Sequence, residues 1–317
     1  MHHRPVLDPD AAARLATFGP PVPMRERGLQ AVRESIESAP LPADMPTMAE
    51  IRDEAVEGPG GPIPVRIYRP RDATAPGPVI VHLHGGGLVM GSLRSFEPLA
   101  RALAAASGAT VVAVGYRLAP ENPPPAQFED AWSVTKWVAT HCDTYGWDRS
   151  KLVLAGDSAG GALAAAVALM AREPSGPEVF AQVLMYPGLD RDMAAPSVLT
   201  KPDAPMLSHD DILYMHELAD LGAGTAHDIR RVPAYATDLR GLPQAIVATA
   251  ELDPISDWGE RYAARLRDAG VQTTITRYPG IYHGFLMRSE TTARGRLAMA
   301  EIGALLRAKF ANPLGFQ

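Results

Sequence analysis

The chain reads as an α/β protein with a mostly parallel, eight-stranded sheet flanked by helices and roofed by a helical cap. Three features carry that reading. From residue 78 onward, short apolar or β-branched runs alternate with longer helical patterns, as strands joined by crossover helices do. Upstream, strand-like runs at 50–57 and 63–68 are separated by Gly58-Pro59-Gly60-Gly61, a hairpin signal, so an antiparallel opening precedes the parallel part. Between 151 and 161 a buried-type strand meets an alanine-rich helix across Gly156-Asp157-Ser158-Ala159-Gly160-Gly161, a tight strand-to-helix turn.

Taken in order, residues 1–45 mix helical pattern at 10–16 and 25–38 with prolines at 20, 21, 23, 40 and 42, which predicts a helical appendage. After the hairpin the pattern predicts a strand at 78–83, a helix at 96–107, a strand at 110–115, a helix at 128–141 and a strand at 151–155. Beyond the helix that follows Ser158 come strands at 180–186 and 244–250, a helix at 258–269, a strand at 272–278 and a last helix near 291–310. Residues 190–231 break the alternation with Ala195-Pro196, Lys201-Pro202 and Ala204-Pro205, then one helix from Ser208. Ser208 and Asp211 fit a capping box, and Ile212, Met215, His216, Leu218 and Ala219 give that helix an apolar face. An insertion after a strand's carboxyl end overhangs the place where open α/β sheets bind ligands. Residues 190–231 and 1–45 are therefore expected to cap Ser158 on a single domain of residues 1–317, with Leu88, Val89 and Met206 shaping the pocket.

Composition narrows the function classes. With 46% hydrophobic residues, a chain of this length can bury one large core. A net charge of −6 with no basic block leaves no electrostatic footprint for nucleic acid or an anionic membrane, so the expected partner is a small molecule. Cys142 is the only cysteine, which excludes an intrachain disulfide and a thiolate metal cluster. Met1-His2-His3-Arg4-Pro5 lacks the apolar run of a signal peptide, and no stretch approaches the roughly 20 apolar residues of a membrane span. A cytoplasmic location is the expectation.

The G-x-S-x-G turn is the nucleophile elbow of an α/β-hydrolase fold. Glycines at 156 and 160 let the chain double back and push the serine oxygen into the open. Upstream, the strand Pro78-Val79-Ile80-Val81-His82-Leu83 runs into His84-Gly85-Gly86-Gly87, an H-G-G-G segment of the kind that supplies the other half of an oxyanion hole. A serine hydroxyl is a weak nucleophile and needs a base oriented by a third group, and in this fold the chain order is serine, acid, histidine. Asp253 stands at the end of the strand Gln244–Ala250, ahead of Pro254. It can also be read as a simple helix cap, and Glu251 is a competing acid that still belongs to the strand end. Of nine histidines only His283, in the glycine-flanked run Pro279-Gly280-Ile281-Tyr282-His283-Gly284, lies downstream of Asp253. His82 and His84 point to one face of a strand, but no third ligand is near in sequence, so no metal is expected there. His141, His209 and His216 receive no role.

His84-Gly85-Gly86-Gly87, Gly156-Asp157-Ser158-Ala159-Gly160-Gly161, Tyr116-Arg117-Leu118-Ala119-Pro120-Glu121, Tyr186-Pro187, Asp253-Pro254-Ile255 and Tyr282-His283-Gly284-Phe285 together resemble the bacterial hormone-sensitive lipase family of esterases, from about residue 50 to the C-terminus. The resemblance implies a carboxylesterase with Ser158 as nucleophile, His283 as general acid/base and Asp253 as orienting acid. It implies an oxyanion hole from the backbone N–H of Ala159 and of the run Gly85, Gly86 and Gly87, above all the last two. Small soluble esters of short to medium acyl chain are the implied substrates, and no cofactor is implied. Asn122, and Ser256-Asp257-Trp258, depart from the family's commoner residues without touching the triad. The same triad also serves an amidase, a formamidase or a metabolite deacetylase, and these stay open. His283 argues against a non-catalytic ligand-binding relative. A homodimer through the last strand is a further implication, for which the residues themselves show only an edge-capable strand at 272–278.

Overall fold

The computed structural model describes residues 6–219 and 228–313. Strands β1 (Met48–Gly58) and β2 (Gly61–Pro70) form the expected hairpin, with Gly58 opposite Gly61. Then follow β3 (Gly77–Leu83), β4 (Thr110–Val114), β5 (Trp147–Asp157), β6 (Ala181–Met185), β7 (Gln244–Leu252) and β8 (Thr273–Tyr282). All eight join one sheet in the order β1-β2-β4-β3-β5-β6-β7-β8. The β1–β2 and β2–β4 pairings are antiparallel and the rest parallel. Every residue of β4 and β6 is buried, which is why these strands read as continuous apolar runs without alternation.

The helices are α1 (Pro9–Ala16), α2 (Met24–Arg27), α3 (Leu29–Ser38), α4 (Glu97–Ser107), α5 (Ala126–Thr140), α6 (Cys142–Tyr145), α7 (Ala159–Ala171), α8 (Pro196–Thr200), α9 (His209–Ala219), α10 (Ser256–Asp268) and α11 (Ala293–Ala311). They cover both faces. Phe128, Val134 and Val138 of α5, nearly all of α7, and Tyr262 and Leu266 of α10 close one core. Leu99 and Leu103 of α4 and Ile302, Leu306 and Phe310 of α11 close the other. Helix α7 is composed almost wholly of Ala, Gly, Leu and Val, so it can be buried nearly all round.

Strand β8 runs four residues further than the expected end at 278, through Pro279 and Gly280. The β7–β8 register shifts between Ala250 and Leu252, a bulge that accommodates a residue lacking an N–H, and β8 is the last strand of the sheet.

Two insertions lie beside the carboxyl ends of the strands. In 190–231, Ala195, Val198, Leu207 and Ile212 pack on Ile255 and Trp258 of the sheet body. The expected capping box forms: Ser208 Oγ donates to Asp211 Oδ2 at 2.7 Å and accepts from Asp211 N at 3.1 Å. Asp211 Oδ1 also accepts from Met24 N at 2.8 Å, tying α2 to α9. Residues 220–227 of this expected cap segment lie outside the described residues. Helix α1 departs from the expectation of a roof. Its Ala11 packs into the α4–α11 core, and Asp8 N donates to Gly280 O at 2.8 Å, so it braces the far end of β8.

Candidate active site

The chain reverses direction of strand addition at β3, which has β4 on one side and β5 on the other, and the crevice at such a switch point is where an open α/β sheet binds ligands. Both serine-hydrolase motifs open onto it. His84–Gly87 follow β3, and Ser158 stands between β5 and α7.

Ser158 has φ 52° and ψ −119°, a backbone state that a side chain strains to adopt. It is held there by its neighbours: Ser158 N donates to Met185 O at 2.9 Å, and its carbonyl accepts from Gly161 N at 3.0 Å and Gly188 N at 2.9 Å. A side chain on Gly156 would strike the Gly160 carbonyl, and one on Gly160 would strike the Leu83 and His84 carbonyls, so the two glycines permit the close passage of α7 across β3 and β5.

His283 follows β8 directly. With the proton on Nδ1, its ring donates to Asp253 Oδ2 at 2.8 Å, while Nε2 accepts from Ser158 Oγ at 2.9 Å. Asp253, one residue beyond β7, is fully buried, and its Oδ1 accepts from Ile255 N at 2.9 Å. That bond braces the loop. The helix cap position is Ile255, and Asp253 keeps a cap-type bond to Ile255 N through Oδ1 while Oδ2 serves His283, so the two readings of Asp253 coexist. Glu251 lies within β7 and accepts from Gly280 N at 2.9 Å, away from His283. The edge of the Tyr186 ring meets the His283 ring at 5.0 Å and fixes its plane.

The glycine run has a divided use. Gly85 N donates to Asp157 Oδ1 at 2.9 Å, so Gly85 cannot offer that N–H to a substrate. This corrects its expected place among the oxyanion donors. Gly86 and Gly87 take φ 105° and 63°, and among the described residues nothing accepts from their amides or from Ala159 N. The loop is clamped on several sides. Tyr116 Oη donates to His84 O at 2.6 Å, Ala119 N to Leu88 O at 2.9 Å, and Arg33 Nε to Val89 O at 2.7 Å. The His84 ring stacks between Tyr116 and Phe96, and burial pushes its pKa down to about 4. His82 Nε2 lies 3.6 Å from Asp157 Oδ1. Among the described residues no group of three or more His, Cys, Asp or Glu side chains is arranged to hold a metal.

A cleft of about 830 Å³, mouth included, opens over Ser158 and Ala159. Its walls are largely apolar, with Leu88, Phe128 and Leu163 from the body and Ile212 and Met215 from α9. Met215 packs directly against Gly87. Of the pocket residues expected from the sequence, Leu88 lines the cleft, Val89 is buried behind it against Met24 and Val32, and Met206 is exposed to solvent. Leu207 takes the place expected of Met206. His216, given no role by the sequence, lines the cleft and stacks on Trp258 at 6.3 Å. No residue of the described part of 1–45 lines it. Helices α2 and α3 only back α9 and the glycine loop.

Among the described residues no helix is long and apolar enough to cross a membrane. Residues 80–287 match a family described as having the alpha/beta hydrolase fold. Over 315 residues the chain is 38% identical to the esterase LipI of Mycobacterium tuberculosis, covering 93% of this chain and 95% of that protein. It is 37% identical over 309 residues to the carboxylesterase NlhH of the same organism, covering 93% and 96%. The hyperthermophilic esterase of the archaeon Pyrobaculum calidifontis superposes with a TM-score of 0.87 at 35% identity, covering 96% of this chain and 99% of that one. The chain belongs to the α/β-hydrolase family, in its bacterial hormone-sensitive lipase branch, and is a carboxylesterase.

Proposed function

We propose that the chain hydrolyses small carboxylic esters of short to medium acyl chain through an acyl-enzyme on Ser158, with His283 as general base then acid and Asp253 as the group that orients it. The observation that carries this reading is the unbroken line from Ser158 Oγ through His283 to Asp253, at 2.9 and 2.8 Å, on the floor of the cleft. As Ser158 Oγ bonds to the ester carbonyl carbon, its proton passes to His283 Nε2. The resulting imidazolium is stabilised by the buried Asp253 carboxylate and returns the proton to the alcohol oxygen as the C–O bond breaks. Water then gives a proton to His283 and adds to the acyl carbon, and the acid leaves as Ser158 regains its hydrogen. Negative charge on the carbonyl oxygen is held by the uncommitted amides of Gly86, Gly87 and Ala159, which cost no reorganisation at the moment of reaction.

The roof of the site is the 190–231 cap, carried by α9, with α2 and α3 bolted behind it on the same single domain. A confined, largely apolar cleft favours a short or medium acyl group over an extended triglyceride. A second copy adding along the outer edge of β8 in a homodimer, and a cytoplasmic location, belong to the same proposal. Neither nucleic acid nor a cofactor enters the reaction. The test is p-nitrophenol release from acetate through dodecanoate esters by wild type and Ser158→Ala. Turnover that peaks at short chains and is lost in the variant is expected. A folded wild type inert on every ester, while active on an amide or formamide, refutes the ester reading.

A further inference from the structure

Helix α8 and the residue that ends it are stitched to the loop that carries Asp253. Ser197 N donates to Asp257 Oδ2 at 2.8 Å, and Ser197 Oγ donates to Pro254 O at 2.6 Å. One turn on, Lys201 Nζ donates to Asp253 O at 3.2 Å and to Ser256 Oγ at 3.1 Å. The Ser256 hydroxyl itself donates to Asp253 O at 2.9 Å. The main-chain carbonyl of the triad acid thus has an ammonium and a hydroxyl converging on it, both from side chains largely withdrawn from water. A lysine is costly to place there, because burial disfavours its charge.

We propose that Lys201 is a positioning residue of the triad. It fixes the Asp253 loop through the carbonyl oxygen and so holds the carboxylate in place against His283. The proposal rests on the triad reading above. Lys201 faces Asp253 at the end of β7, Asp257 and Glu260 on α10, and Arg277 on β8. Glu260 and Arg277 pair with each other at 2.6 Å, which leaves the ammonium to the Asp253 carbonyl and Ser256.

The experiment measures kcat and KM separately on p-nitrophenyl butyrate for wild type, Lys201→Met, Lys201→Gln, Lys201→Arg and Ser158→Ala, with thermal unfolding of each. Lys201→Met loses the donor to Asp253 O, and its kcat should fall roughly three- to tenfold as the loop loosens, with KM within about twofold of wild type. Lys201→Gln and Lys201→Arg keep a donor for Asp253 O, so their kcat should lie nearer to wild type. A Lys201→Met enzyme with kcat within about twofold of wild type, or one whose loss lies wholly in KM, overturns the assignment. Turnover surviving in Ser158→Ala instead overturns the triad reading itself, so the two failures are told apart.

Discussion

Asp157 precedes the nucleophile, yet its carboxylate serves the other half of the site, and truncating it tests how the oxyanion loop is held. Asp157 is buried and accepts from Gly85 N at 2.9 Å. Asp157→Ala removes a charge-assisted acceptor and leaves that N–H buried without a partner, a loss of about 1.5–3 kcal/mol in stability. The kinetic consequence is separate. Gly86 and Gly87, which carry the free amides, hang directly from Gly85, and losing one oxyanion donor costs about 2.7–4 kcal/mol, or roughly 10²–10³ in kcat. Because the donors act on charge that develops only in the transition state, and the cleft walls are untouched, KM should stay within about threefold. Asp157→Asn keeps an oxygen for Gly85 N and should retain kcat to within about tenfold, which separates the hydrogen bond from its charge. The assay is steady-state turnover of p-nitrophenyl acetate and butyrate alongside urea unfolding. An Asp157→Ala enzyme with kcat within twofold of wild type, or one whose loss lies wholly in KM, refutes the idea that this carboxylate sets the loop.

Two further outcomes follow from the same surroundings. Gly160→Ala drives a methyl into the main-chain carbonyls of Leu83 and His84, which cannot rotate aside, so a loss of about 3 kcal/mol or failure to accumulate soluble protein is expected, checked by yield and thermal midpoint. His84 is buried neutral with a pKa near 4 against an ordinary 6.5, so above pH 6.5 its titration has no effect on stability, and between 6.5 and 4 the unfolded chain takes up a proton that the fold refuses. Wild type should therefore lose about 3 kcal/mol more than His84→Phe between neutral pH and pH 4 in urea titrations, and parallel losses would contradict it.

What the sequence made legible is what local rules control. Apolar runs with no alternation gave β3 to β7, because strands buried on both faces need no polar residue between apolar ones. The elbow was legible because only glycine allows the approaches at 156 and 160, and the capping box at Ser208 and Asp211 because its two bonds span three residues. Chain order separated His283 from eight other histidines, and the geometry agrees. The unread features are of another kind. That Gly85 spends its N–H on Asp157 depends on a contact across 72 residues, and that Lys201 reaches Asp253 O on one across 52. Periodicity has no access to either. Met206 was misplaced by one residue for a related reason: a left-handed φ of 68° at Met206 turns its side chain outward and sends Leu207 into the body, and an irregular loop has no period from which to read that choice. The same distinction explains why Ser256-Asp257-Trp258 looked neutral beside the triad. Asp257 and Trp258 are spent on the insertion, Asp257 taking Ser197 N and Trp258 Nε1 donating to Asp192 O at 3.1 Å, while Ser256 accepts from Lys201 and donates to the Asp253 carbonyl, so it touches the triad acid after all. The segment after the acid is thus matched to the 190–231 insertion, and substitutions in either should couple to the other rather than add.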